Sequence, residues 1–335
     1  MAGSSTSFKL MTLTHQLGIT YPILCGAMYP CSNPELVAAV SRCGGLGIVQ
    51  PLSLVYVHGY EFRAGLHYIR SLTANPIGMN VIVEKNSRLY ESRMRGWVDI
   101  ALDEGVRFFV TALGKPDWVV EKAHAKGALV FHDVTHRQWA LRALECGVDG
   151  FICVNNRAGG HAGTLSMREL YESLCTLGKP LIAAGGISTR TDVMEALALG
   201  YAAVQLGTRF VASIECTAPP EYKQAIVEAG EGDIVTTERV TGVPLSVIRT
   251  PYVAKVGTTV GPLSRFLFRY RRTRHLLRFL YNVRSVMAFK RSMHSGMSTK
   301  DYYQAGKSVS GIDRILSVED IFSQLTSEPP SSLAG

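Results

Sequence analysis

The residues best suited to chemistry lie in one stretch, Asn155-Asn156-Arg157-Ala158-Gly159-Gly160-His161-Ala162-Gly163. A histidine flanked by small residues is open to whatever lies above it, and imidazole exchanges protons near neutral pH. The plain alternative is a loop histidine in a structural hydrogen bond. Two more glycine turns follow, Ala184-Gly185-Gly186-Ile187 and Gly207-Thr208-Arg209. Glycines let backbone N–H groups approach an anion and Thr208 adds a hydroxyl, so the pair suits a phosphate; otherwise they serve tight turns. Asn80, read as a strand end in Gly78-Met79-Asn80, could bond a heterocycle through its carboxamide, or bond only its own loop. His132 and Asp133 could face a ligand as a pair or lie in a solvated loop. Met28 could pack under a flat ring or be plain core.

Positioning these residues needs a frame that brings distant turns together. Short apolar runs alternate with longer amphipathic stretches. The runs at 22–28, 46–49, 77–83, 106–112, 128–133, 150–154, 180–184 and 202–206 read as strands. They are continuously apolar, as parallel strands buried on both faces should be. Helices are expected between them, the first with Asn33 as N-cap and Pro34 at its first position. Eight strand–helix units in series give an α/β fold, a (β/α)8 TIM barrel. A doubly wound sheet would carry its Gly-rich turn after the first strand, whereas these turns follow strands six, seven and eight. In barrels the loops after strands seven and eight commonly bind phosphate.

Residues 1–220 are therefore assigned to the barrel. Residues 221–326 read as an appended C-terminal helical subdomain covering the barrel mouth, with a further glycine turn at 304–311. Residues 327–335 read as a flexible tail. The 335 residues are 47% hydrophobic and 19% charged, a normal balance for a packed core. No apolar run is long enough to span a membrane, and no signal peptide is expected. Seven scattered cysteines without a CxxC suggest reduced thiols in a cytoplasmic protein and no metal site. The net charge of +8 is local, since 255–291 holds ten Lys/Arg and no Asp or Glu. Its arginines, among them Arg265, Arg269, Arg271, Arg272 and Arg274, alternate with aromatics. That pattern could meet an acidic carrier protein, a CoA ester or a membrane surface, or be a solvated face that pairs within a homo-oligomer. No nucleic-acid motif accompanies it.

In this order and spacing the motifs resemble the nitronate monooxygenase family, FMN-dependent (β/α)8 barrels once called 2-nitropropane dioxygenases. The likeness runs from about Leu17 to Phe322. It rests on Gly26-Ala27-Met28, Cys43-Gly44-Gly45-Leu46-Gly47, Gly78-Met79-Asn80, Ala158-Gly159-Gly160-His161, Ala183-Ala184-Gly185-Gly186-Ile187 and Gly207-Thr208-Arg209-Phe210. The resemblance implies that Gly26, Ala27, Met28, Asn80, His132, Gly159, Gly160 and Ala184 lie at the flavin. It gives Gly185, Gly186, Gly207 and Thr208 to its phosphate, and makes His161 the catalytic histidine. It implies oxidation of alkyl nitronates by oxygen to carbonyl compounds and nitrite. The same fold group implies one alternative, an NAD(P)H-dependent flavin reductase of the enoyl-acyl-carrier-protein or quinone type; a flavin-binding partner without turnover is a third reading, of another class. The chain departs from some relatives at Asp133, where they have lysine, and at 155–157, where some nitronate oxidisers have an acidic version.

Overall fold

The computed structural model describes residues 12–84, 88–239, 244–259 and 302–327. Eight parallel strands close into a barrel: β1 Ile23–Cys25, β2 Leu46–Val49, β3 Ile77–Val83, β4 Phe108–Leu113, β5 Leu129–Val134, β6 Gly150–Val154, β7 Leu181–Ala184 and β8 Ala203–Leu206. Each strand pairs with the next and β8 returns to β1, Cys25 opposite Leu206. After a short helix α1 (Leu13–Leu17), seven crossover helices follow β1 to β7: α2 Pro34–Arg42, α3 Phe62–Leu72, α4 Arg88–Asp103, α5 Asp117–His124, α6 Arg137–Leu144, α7 Met167–Leu174 and α8 Arg190–Leu199.

The alternation along each strand divides the core in two. Leu24, Ile48, Phe108, Phe131, Ile152 and Ile182 point into the barrel, where the Phe108 and Phe131 rings sit 5.1 Å apart. The residues between them face the helices. α1, which the sequence pattern does not announce, adds Leu13 and Leu17 to the inner cluster and plugs its lower end. Helix starts follow local chemistry. Ser166 and Thr189 close capping boxes with Glu169 and Asp192 at the heads of α7 and α8. Asn33 stands at the expected N-cap of α2 but makes no cap bond. Its amide instead donates to Glu35 and to the Glu215 carbonyl, and its oxygen accepts from Thr217 N–H, tying α2 to the chain beyond β8.

Beyond the barrel come α9 (Thr208–Val211), α10 (Pro220–Glu228), an antiparallel hairpin of β9 (Ile234–Thr237) and β10 (Leu245–Ile248), and α11 (Pro251–Val256). The sequence pattern had offered only helical pieces here. The β9 run, Ile-Val-Thr-Thr, is wholly β-branched and favours a strand once β10 is there to pair with it. A last helix α12 (Val318–Thr326) lies against α2 and α8, its Phe322 ring 6.1 Å from Phe210. Of the basic segment 255–291 only residues 255–259 are described. Arg265, Arg269, Arg271, Arg272 and Arg274 lie outside the described residues, as do 328–335. Among the described residues no helix is long and apolar enough to cross a membrane.

One helix–strand contact runs through a glycine. A Cβ on Gly47 of β2 would press into the Val37 carbonyl of α2. Gly96, inside α4, has open space around its Cβ position. Gly47→Ala should therefore lower stability by about 1–3 kcal/mol through overpacking. Gly96→Ala should raise it by up to about 1 kcal/mol through helix propensity. Urea unfolding of both variants checks the pair; equal effects would contradict the packing described.

Candidate active site

A cavity of about 1080 Å³ opens at the C-terminal ends of the strands, at the upper end of what small-molecule sites enclose. Its inner wall carries Gly26, Ala27, Met28, His132, Gly159, Gly160, His161, Ala184, Gly185, Gly186, Gly207 and Thr208. Of the residues assigned in the sequence to the flavin or to catalysis, Asn80 is the one not on that wall. β3 runs three residues beyond Asn80, to Val83, so Asn80 sits one layer lower. Its amide donates to the Val110 carbonyl at 3.2 Å, and Ile82 takes the place on the wall. Asn80 is therefore a mid-strand residue and not the end of β3.

Two glycine turns form one end of the cavity. Gly185 and Gly186 have φ of 113° and 75°, in the left-handed region. Neither has room for a side chain: a Cβ on Gly185 would meet Asn155 Oδ1 at 2.5 Å, and one on Gly186 would meet the Arg157 side chain at 2.6 Å. The N–H groups of Gly185, Gly186 and Gly207 have no hydrogen-bond partner among the described residues, although all three line the cavity. Thr208 Oγ accepts from Gly306 N–H at 3.0 Å, which leaves its own proton for a ligand. Unpartnered N–H groups around a hydroxyl suit a phosphate monoester.

Asn155 and Arg157 support this end rather than line it. Asn155 is buried, donates to the Gly185 carbonyl at 2.9 Å and accepts from Arg157 N–H at 2.8 Å. The Arg157 guanidinium pairs with Glu231. Beyond them, Gly159 and Gly306 meet backbone to backbone, and Lys307 N–H donates to the Arg157 carbonyl at 2.9 Å. The hairpin completes the roof. Ser246 of β10 exchanges two backbone hydrogen bonds with Gly160, and Val247 bridges to Gln304. The Tyr222 hydroxyl donates to the Gln304 carbonyl, while the Tyr222 ring stacks on Tyr303 at 4.6 Å.

The titratable groups of the inner wall are shifted toward neutrality. His161 stands exposed at the roof junction, yet the surrounding walls strip its hydration and lower its pKa. His132 is buried on β5 with a pKa pushed down to about 4. Its Nδ1 lies 2.8 Å from Thr111 Oγ, which also donates to the Phe131 carbonyl at 3.1 Å. With that hydroxyl proton committed, Nδ1 carries the imidazole proton and Nε2 is left as the acceptor. Asp133 follows on the same strand, two residues above Phe131, and faces the barrel axis. One of its oxygens is buried without a partner, and burial raises its pKa to about 7. Gln205, at an inward position of β8, also holds a buried oxygen without a partner. The sequence had left Asp133 undecided and passed over Gln205. Inward parity at the tops of β5 and β8 was the signal available for both.

The family model described as nitronate monooxygenase matches residues 11–328. A curated relative from Mycobacterium tuberculosis, named a (3aS,4S,5R,7aS)-5-hydroxy-7a-methyl-1-oxo-octahydro-1H-indene-4-carboxyl-CoA dehydrogenase, is 29% identical over 73% of this chain and 67% of its own length. The chain thus spans about two thirds of that protein. A probable nitronate monooxygenase from Staphylococcus saprophyticus is 27% identical over 74% of this chain and 81% of its own. The solved structure of FabK from Thermotoga maritima superposes with a TM-score of 0.76 at 29% identity, covering 94% of this chain and 95% of that one. A closed barrel with its cavity at the strand ends and a family match over nearly the whole length lead to one assignment: the chain belongs to the nitronate monooxygenase family and is a flavin-dependent oxidoreductase.

Proposed function

We propose that this cavity holds FMN and that the protein is a reductase or dehydrogenase acting on an acyl thioester or a similar neutral carbonyl compound. The phosphate would lie against the N–H groups of Gly185, Gly186 and Gly207 and the hydroxyl of Thr208. The ring system would lie over the floor between Gly26–Met28 and Ala184, where Asp133 and Gln205 offer unpartnered polar atoms. FMN supplies the redox chemistry when bound. The chain binds, orients and manages protons. His161, at the junction of barrel and roof, exchanges a proton with the substrate; Asp133, protonated over part of the neutral range, donates a hydrogen bond from the floor.

The observation that carries this reading is the charge of the inner wall. His132 is neutral, the His161 pKa is lowered, and Asp133 becomes negative above about pH 7. Among the described residues the two cationic side chains on the cavity, Lys115 and Arg142, stand in the β4–α5 turn and on α6, away from the glycine turns. The inner wall therefore offers an anion such as a nitronate no fixed positive charge among the described residues, whereas a neutral carbonyl group needs none. The CoA dehydrogenase among the relatives fits a thioester. A second reading, oxidation of alkyl nitronates by oxygen to carbonyl compounds and nitrite, draws on the Staphylococcus relative and needs His161 to hold the anion as a donor.

Anaerobic titration of the FMN-loaded protein separates these readings. Fast bleaching of the flavin by NADPH, NADH or a saturated acyl-CoA, with none by propionate 3-nitronate, is expected; the reverse pattern moves the assignment to nitronate oxidation. His161→Ala should lower kcat roughly a hundredfold while FMN stays bound, the scale of a lost general acid–base group. Turnover within about twofold of wild type would remove His161 from the proton path.

Asp133 gives a pH prediction. Its folded pKa of about 7 lies above the ordinary 3.8, so the folded protein keeps a proton that the unfolded chain releases between those values. Its contribution to stability is complete below about pH 3.8 and is lost as pH rises through 7. Asp133→Asn keeps the shape without the charge. It should melt above wild type at pH 8, and the difference should close toward pH 4. A gap independent of pH would show that the carboxyl is not desolvated.

A further inference from the structure

We propose that the outer arm of the cavity is a subsite for an adenosine diphosphate group, carried either by a CoA thioester or by a nicotinamide dinucleotide. The proposal deepens the reductase reading and rests on it for the ligand's reacting end. The arm leads away from the barrel axis, past the end of β4 and along α6. Gly114 is pinned there, its N–H donating to the Val83 carbonyl at 2.9 Å. The preceding Leu113 is forced to φ 72°, a left-handed conformation unfavourable for leucine, with 71% of its surface exposed. Such strain persists only where the surroundings impose it, and it gathers at ligand sites. Here it turns an apolar side chain onto the cavity rim and carries Lys115 beside it.

The facing wall is one stripe of α6 and its C-cap. Trp139, Arg142 and Glu145 recur at three-residue spacing, so they share a helix face, and all three line the cavity. Trp139 is 42% exposed, and the Arg142 guanidinium lies over its ring at 4.8 Å from the centroid. Neither Lys115 nor Arg142 has a carboxylate within 4.0 Å among the described residues. The group that fits is therefore one with a flat ring, a dianionic link and hydroxyls. Adenine stacks on the half-exposed indole. The diphosphate takes the unpaired Lys115 and the N–H edge of Arg142. Glu145 accepts from the ribose hydroxyls. Leu113 covers the chain that runs from the diphosphate toward the floor at Asp133, where the ring system would lie. The glycine-turn end of the cavity has backbone donors but none of this aromatic and cationic set.

The test is calorimetric titration of the FMN-loaded protein with ADP, CoA, NADH, NADPH and pantetheine. ADP is expected to bind and to compete with CoA or with the dinucleotides, and the ligand with which it competes identifies the source. Lys115→Ala and Arg142→Ala should each weaken ADP binding roughly tenfold, the scale of one charge-assisted hydrogen bond. Trp139→Ala should weaken it by a similar factor, pantetheine binding should not change, and all three variants should keep FMN. ADP that fails to bind at millimolar concentration, or affinities unchanged in all three variants, overturns the subsite even if thioester turnover is found. ADP bound as described by a protein that turns over neither a thioester nor a nicotinamide keeps the subsite and overturns the functional reading.

Discussion

Everything at the mouth of this barrel depends on a contact between two stretches of backbone with no side chain between them. Gly159, in the loop after β6, and Gly306, in the turn that returns from the C-terminal extension, lie so close that a Cβ on either would sit 2.6–2.8 Å from the other stretch. Thr208 Oγ and the Arg157 carbonyl accept the N–H groups of Gly306 and Lys307, so the seam also fixes the loop after β8. Side chains here would hold the extension off the barrel. Their absence lets the turn at Gln304 and the β10 strand form the roof, and it sets the space beneath. Asn155 ties the same loop down through a side chain, its buried amide joining the β6 loop to Gly185.

The same constraint explains the chemistry left on the wall. Backbone atoms near the roof saturate one another, whereas the N–H groups of Gly185, Gly186 and Gly207 are left facing the cavity. At the floor, apolar strands beneath Asp133 and Gln205 supply no partner, so the carboxyl retains its proton to about pH 7. Among the described residues the fixed positive charge of the cavity is confined to the outer arm. One cavity thus has an end that binds anions through backbone dipoles, a nearly neutral middle, and a cationic, aromatic arm. That order suits a flavin phosphate, a neutral reacting carbon and an anionic tail.

Much of this was legible in the sequence. The continuously apolar runs gave β2, β3 and β6 to the residue, because a strand buried on both faces has no other composition. The glycine turns gave most of the wall, since those glycines serve steric purposes visible in their spacing. Asn80 was read as a strand end although it lies in the middle of the run 77–83, where Ile82 is the inward residue that reaches the cavity. The β9–β10 hairpin was missed because a short strand is defined by its partner. α1 was missed because its job is to plug a barrel that must already exist. Asp133 and Gln205 were not separated from their neighbours because their significance lies in lacking partners, which only the folded surroundings reveal.

Everything proposed for the site requires a phosphate on the unpartnered glycine N–H groups and Thr208. The most direct measurement is equilibrium binding of FMN and of riboflavin to the apoprotein, since the two differ by that phosphate alone. Two or more charge-assisted hydrogen bonds should make FMN bind at least about a hundredfold more tightly. Equal affinities for the two flavins would contradict the account.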